Sequence, residues 1–392
     1  MSAIGGIVDL CGRKVHIDRL LLMRRAMALR GRRRSSAYIG DGACLIYNSS
    51  KQNVFCSDED RQPAIFERRG REYALAIDSE KHQSSAVFES YRIDGMEFLS
   101  TLEGDFSLAL YDGEREILVL SRDAEGRRPL YYKIFDRSVY FASEIRGILA
   151  ATGECASIDR ESLSLLLTSP AGIYRASDVY TDIREVAPGE CVIFGRLGMS
   201  RFRYRRNERR QARTERQRAI EPYAVTREKS IEDSLSDALI AFEYPRFDGF
   251  MPSLCELLSS ADGRGVVYSD PMRQKSISYS NDRADRLGAF YGVECAAVMP
   301  RDMDRREELF SVYSYLYRRF NSLPGKDIAM LESILGRRKL SYIEKRLREG
   351  EKKKDAEQEL CTLGMLIQTV TWASSTRLAI SDKKSYSALS TM

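Results

Sequence analysis

Along the first two hundred residues, short apolar runs alternate with polar turns. AIGGIVDL, ACLIYNSS, YALAID, FSLALYD, EILVLSRD, PLYYKIF, SVYFAS and CVIFG read as β-strands bounded by Gly, Asp, Asn or charged residues. Between them, IDRLLLMRRAMALR predicts a helix with Leu20, Leu21, Met23, Met27 and Ala28 on one face and Asp18 near its start. SSAVFESYRIDGMEFLSTL predicts a helical region broken near Gly95, and RESLSLLLTS a third helix. Strands outnumber helices and come in neighbouring pairs, which predicts an antiparallel α+β layer structure over residues 1–200.

The pattern changes after residue 200. From Arg201 to Arg218 the chain reads RFRYRRNERRQARTERQR, nine arginines against two glutamates. Residues 201–225 are expected to link two domains. From 226 a helix (EKSIEDSLSD), an apolar run (ALIAFEYP), a helix (PSLCELLSS), a strand (GRGVVYSD), a helix (NDRADRLGAFYG) and a strand (VECAAVMP) follow in order. With ALIAFEYP read as a strand, this is the alternation of a parallel α/β sheet. From about residue 303 to Trp372 the chain reads as helical, and the polar end as loose.

Composition narrows the chemistry. A chain of 392 residues suits roughly two or three domains. No stretch approaches the ~18 apolar residues of a membrane-spanning helix, and the start lacks the charged and apolar segments of a signal peptide. Eight cysteines without a CxxC pair suit reduced cytoplasmic thiols, not a zinc site. With two histidines, His16 and His82, a histidine-rich metal site is excluded and no metal is expected. Net charge is +5, concentrated in the arginine segment and in MALRGRRRSS, where Arg30, Arg32, Arg33 and Arg34 crowd together. Such clusters attract nucleic acid or acidic partners. Here only Phe202 and Tyr204 interleave with the arginines, which favours solvated segments.

One block is more specific. Gly104 and Phe106, Asp112, SRDAEGRRPLYY from Ser121 to Tyr132, FASEI from Phe141 to Ile145 and APGE from Ala187 to Glu190 occur in that order. Together with the opening Met1-Ser2-Ala3-Ile4-Gly5-Gly6-Ile7, the block resembles the class II glutamine amidotransferase domain of asparagine synthetases. The resemblance continues more weakly to about residue 300. It implies an α+β N-terminal-nucleophile-hydrolase-like αββα sandwich over 1–200. It also implies a Rossmann-like α/β pyrophosphate-loop domain over 226–392, short and with a helical C-terminal part.

The family's nucleophile is an N-terminal cysteine whose own α-amine is the base, and Ser2 stands at that position. The family's oxyanion donors, an Asn-Gly pair, fall on Ile77 and Asp78 of AIDSEKHQ. One such donor is worth roughly 3–4 kcal/mol. The residues that hold glutamine's ammonium fall on Ser79 and Ser84, and the arginine for its carboxylate falls within LIYNSS, Leu45 to Ser50. The family's SGGxDS loop aligns with Tyr244, Pro245, Arg246, Phe247, Asp248 and Gly249. Proline lacks an N–H, and bulky side chains stand where backbone amides close on pyrophosphate. Asp248 alone matches, and Arg246 could attract a phosphate only by charge.

The expectation is therefore a catalytically degenerate asparagine synthetase-like protein. It would bind no cofactor and serve as a scaffold or accessory partner of another protein or peptide in a biosynthetic pathway. A homodimer is compatible with this reading; membrane and nucleic acid are not expected partners. The alternatives are a divergent amide-forming ligase, of asparagine synthase, β-lactam synthetase or lasso-cyclase type, using ATP and Mg, and an arginine-rich peptide- or nucleic-acid-binding module.

Overall fold

The computed structural model describes residues 2–28, 30, 34–49, 62–79, 81–168, 179–204, 230–242, 251–260, 266–269, 287, 295–298, 306–350, 357–376 and 378–381. Arg246 and Asp248 lie outside them, as do most of the arginine segment and of the NDRADRLGAFYG stretch. The chain divides into two compact units. Among the described residues one holds 2–154 and 182–204, the other 155–168, 179–181 and those from 230 onward.

In the first unit the elements run β1 (Ala3–Asp9), α1 (Ile17–Ala26), β2 (Arg34–Ile39), β3 (Ala43–Ser49), β4 (Ala64–Arg68), β5 (Arg71–Ser79), α2 (Ser84–Asp94), a 3-10 turn (Gly95–Glu97) and α3 (Phe98–Thr101). Then come β6 (Phe106–Asp112), β7 (Ile117–Arg122), β8 (Tyr131–Phe135), β9 (Ser138–Ala142) and α4 (Ile145–Thr152). After the excursion of β10 (Ala156–Asp159) and α5 (Arg160–Thr168) into the other unit, β11 (Arg184–Glu185), β12 (Glu190–Gly195) and β13 (Gly198–Arg203) complete it. They build two six-stranded antiparallel sheets, in the orders β11-β8-β9-β1-β3-β2 and β13-β12-β7-β6-β5-β4.

The period of two decides the layers. Ile4, Val8, Leu45, Val139 and Phe141 of the first sheet meet Ala74, Ala76, Ala109, Leu118 and Leu120 of the second in one buried cluster. The alternate residues of the second sheet, Tyr73, Leu75, Ile77, Leu108 and Leu110, pack against Val87 and Phe88 of α2 and Phe98 and Leu99 of α3. On the outer face of the first sheet lie α1 and α4. The result is the expected α-β-β-α sandwich. Gly5 and Gly6 serve opposite faces of β1. A Cβ on Gly5 would lie 2.8 Å from Met27 Cε, and one on Gly6 2.5 Å from both Phe141 Cζ and the Cys44 carbonyl oxygen.

Two elements depart from expectation. In α1, Leu20, Met23 and Met27 are buried, but Leu21 is 37% exposed and Ala28 faces solvent. Leu21 sits about 100° around the helix from Leu20, off the buried stripe. In the second unit, Ala238–Phe242 is not a strand. It continues the helix α6 (Ile231–Phe242), because Leu235, Ala238, Leu239 and Phe242 recur at helical spacing and are all buried. The stretch 244–249 therefore follows a helix.

The second unit also has α7 (Met251–Ser260), a two-stranded parallel pair β14 (Val266–Ser269) and β15 (Cys295–Val298), and helices α8 (Arg306–Asn321), α9 (Gly325–Leu335), α10 (Arg337–Gly350) and α11 (Glu357–Ser375). β16 (Leu378–Ser381) pairs in parallel with β10. No helix among the described residues is long and apolar enough to cross a membrane.

Candidate active site of the first unit

Ser2 immediately precedes β1, in a strand whose even-numbered Ile4 and Val8 point between the sheets. It is 5% exposed. Its Oγ accepts a hydrogen bond from the Tyr47 hydroxyl at 2.9 Å. Tyr47 pairs with Ile4 and packs against the same inter-sheet core. Ser143, from FASEI, ties the end of β9 to this strand. Its Oγ accepts from the Ile4 N–H at 3.0 Å, and its own N–H donates to the Ile4 carbonyl at 2.8 Å.

Across from β1, the register of the second sheet sets Asp78, Ser107 and Arg122 in one row over β5, β6 and β7. By parity all three face the first sheet, as Ala76, Ala109 and Leu120 do. Arg122 pairs with Glu185 and donates to the Val186 carbonyl at 3.2 Å. Glu185 sits in register with Tyr131, Tyr131 with Ala142, and Ala142 with Gly5, so the row meets the Ser2 end of β1. Glu185 also holds the Arg122 guanidinium firmly charged, although burial opposes it.

Asp78 is 3% exposed and its Oδ1 lies 3.5 Å from an Arg128 guanidinium nitrogen, itself buried. Its Oδ2 and the Ser107 Oγ have no hydrogen-bond partner among the described residues. Arg128 is aimed inward by Asp123, whose carboxylate accepts the backbone N–H groups of Glu125, Arg127 and Arg128 at 2.9 to 3.3 Å. Burial pushes the Asp123 carboxyl upward, with Arg122 and these amides opposing. Pro188 of APGE closes on the same loop, with Cγ 2.6 Å from where a Gly126 Cβ would stand. The conspicuous SRDAEGRRPLYY, FASEI and APGE motifs therefore shape and brace this end of the sandwich.

The predicted residues scatter around this framework. Ser2 and Asp78 come to the same end of the inter-sheet layer. Ile77 instead faces the helical layer, and its N–H donates to the Gln62 side chain at 3.1 Å. Ser84 starts α2 and is bonded by the same Gln62, while Ser79 Oγ accepts from the Lys81 N–H at 3.3 Å. In LIYNSS, Asn48 turns outward, its amide 3.4 Å from the Met27 carbonyl of the α1 terminus. Tyr47, Ser107, Arg122, Arg128 and Ser143 were not singled out from sequence. Alternation along ACLIYNSS sets Leu45 and Tyr47 on one face, but that Tyr47 meets Ser2 comes only from the β1–β3 register. No group of three or more His, Cys, Asp or Glu among the described residues is arranged to hold a metal.

As chemistry, the site has a hydroxyl already engaged as an acceptor and two buried ion pairs. The Asp78 carboxylate would repel a developing oxyanion, which needs donors.

Comparison with known proteins places this geometry. The family described as "Glutamine amidotransferase domain" matches residues 66–205. Asparagine synthetase [glutamine-hydrolyzing] 3 of Bacillus subtilis is 28% identical over 167 residues, 43% of this chain and 26% of that protein. Asparagine synthetase B [glutamine-hydrolyzing] of Escherichia coli is 27% identical over 169 residues, covering 38% of this chain and 30% of that one. The chain thus spans under a third of the length of these curated relatives. Among solved structures, the glutamine phosphoribosylpyrophosphate amidotransferase from B. subtilis overlaps 78% of this chain and 70% of its own, with 13% identity and a TM-score of 0.38. The matched sequence and the motifs that frame the sandwich agree: the chain carries a class II glutamine amidotransferase domain of the asparagine synthetase family.

Proposed function

We propose that this domain no longer hydrolyses glutamine and that the protein acts as a scaffold or accessory partner in a biosynthetic pathway. The observation that carries the reading is the setting of Ser2. Its hydroxyl is buried and held by Tyr47 at 2.9 Å, at the end of the sandwich where the Asp78 carboxylate faces inward. A nucleophile needs an approach path for the carbonyl and an oriented base, and the tetrahedral state needs donors. Among the described residues, the charged inward groups of this end are held in the Arg122–Glu185 and Arg128–Asp78 pairs, and the Ser107 hydroxyl lies buried between them. In the same reading the second unit performs no adenylation, and neither ATP nor Mg is bound.

The test is glutamate and ammonia release from glutamine by the full chain, with Ser2→Ala beside it. The two proteins should be indistinguishable and at the buffer background. Turnover that the native chain shows and Ser2→Ala loses would establish a working nucleophile and overturn the proposal.

A further inference from the structure

We propose that the free edge of β13 is a docking strip for an extended acidic peptide of a partner protein, which adds to the second sheet as a further antiparallel strand. The proposal rests on the accessory-partner reading and gives the partner's chemistry. β13 ends the order β13-β12-β7-β6-β5-β4, and every pairing in that sheet is antiparallel. Its hairpin with β12 settles which backbone groups the free side presents. Gly195 pairs with Gly198, and one step beyond β13 the Tyr204 N–H donates to the opposite Gly189 carbonyl at 3.1 Å. Hydrogen-bonded pairs recur every second residue in an antiparallel ladder. Ser200 and Phe202 therefore spend their backbone groups on β12, and Met199, Arg201 and Arg203 turn theirs to the free side.

The side chains along this edge select the occupant. Arg201 and Arg203 are exposed, and neither makes an ion pair among the described residues. With Met199, which packs on the inter-sheet core, they share the face toward the first sheet. Arg184 of β11, an edge strand of that sheet, adds to the same field. Burial and then Glu190 lift the Tyr132 hydroxyl, and both Arg201 and Arg184 oppose them. Glu190, opposite Arg203, spends its carboxylate on the Ala187 N–H at 2.8 Å. Phe202 lies on the other face at 38% exposure. Open amides flanked by two arginines, with an aromatic ring between them on the reverse face, match an extended chain with Asp or Glu at alternate positions and apolar residues between. Main-chain bonds hold such a strand, and the alternation of its side chains gives the specificity. A second copy of β13 would set arginine beside arginine, and like charges oppose it. A nucleic-acid strand would answer the arginines but not the ordered row of N–H and C=O groups.

Fluorescence anisotropy on the full chain tests this with a capped, labelled peptide alternating Glu and Val. Binding should saturate, and a peptide alternating Lys and Val should not bind. The combined Arg201→Glu, Arg203→Gln variant should weaken binding by about tenfold or more. Glutamine at 203 avoids a second carboxylate opposite Glu190. Thermal melts identify a variant that fails to fold, and the native chain then still decides, because altered peptides read the geometry directly. In antiparallel addition the residues beside Arg201 and Arg203 point their own N–H groups at the edge. N-methylation of the glutamates should therefore abolish binding, while N-methylation of the valines should leave it near the unmodified value. Equal binding of the two methylated peptides would assign the signal to charge alone, which the arginines following Tyr204 in the sequence also carry, and overturns the proposal. So does the absence of saturable binding, a folded variant that binds as the native chain does, or an oligonucleotide that displaces the peptide through the same two arginines. Glutamine turnover is read in its own assay. No peptide binding by a chain without turnover strikes this surface alone, whereas turnover lost in Ser2→Ala strikes the accessory-partner reading.

Discussion

A carboxylate that keeps 3% of its exposure inside a sandwich requires a countercharge, and Asp78 finds it in Arg128 at 3.5 Å. Breaking such a pair from one side strands the other charge, which costs about 3–5 kcal/mol. Asp78→Ala should therefore lower the unfolding free energy of the first unit by about 3 kcal/mol, read from urea denaturation. A loss below about 1 kcal/mol would mean that the pair is in effect a solvated one. The same residue shows what was legible at this scale. The family resemblance aligns Ile77 and Asp78 together with the family's Asn-Gly donor pair. Adjacent strand residues cannot share a face, so only Asp78 reaches the inter-sheet layer, and Ile77 packs beneath α2. Ser2 was legible by position alone. Its partner Tyr47, forty-five residues on, was not, because pairing between β1 and β3 is a long-range register.

At the scale of elements, the paired central strands announced themselves and the edges did not. β1, β3, β5, β6, β7, β8, β9 and β12 are apolar because they bury one or both faces. The edge strands β2 and β4 read as polar: β2 is RSSAYI, mostly exposed, and β4 is AIFER with Ile65 and Glu67 exposed. Their strand character comes from the neighbours β3 and β5 that recruit them. The opening glycine pair is an element-scale feature too. A side chain on Gly6 would overlap both Phe141 and the Cys44 carbonyl oxygen at 2.5 Å, and backbone cannot step aside in a central strand. Gly6→Val should cost at least the ~1–3 kcal/mol of overpacking and send most of the expressed chain to the insoluble fraction. A Gly6→Val protein that melts within a few degrees of native would show that β1 has slack. In α6 the contiguous run ALIAF looked like a strand. Counting from Leu235 exposes the helical period that the run hides.

At the scale of the whole molecule, the two units differ in how directly sequence reports their function. Among the described residues, the second unit has the helices expected after residue 303 and two parallel strand pairs, β14–β15 and β10–β16. The proposed absence of adenylation there turns on the sequence at Asp248 and its neighbours, so it is tested by ligand. Titration of ATP with Mg into the full chain by calorimetry should give no binding up to millimolar nucleotide. A micromolar dissociation constant that disappears in Asp248→Ala would restore the ligase reading.

The sequence by itself determined the layer architecture of the first unit, because strand periodicity and apolar burial are local properties that the order of residues carries directly. It determined the family of that domain as well, since the bracing motifs are contiguous stretches of the chain. Only the tertiary structure decided which residues surround Ser2, that Asp78 is closed by Arg128, and that Leu21 points to solvent. Those outcomes depend on register between distant strands and on which helix stripe the sheet covers, and neither is a property of any local window of the chain.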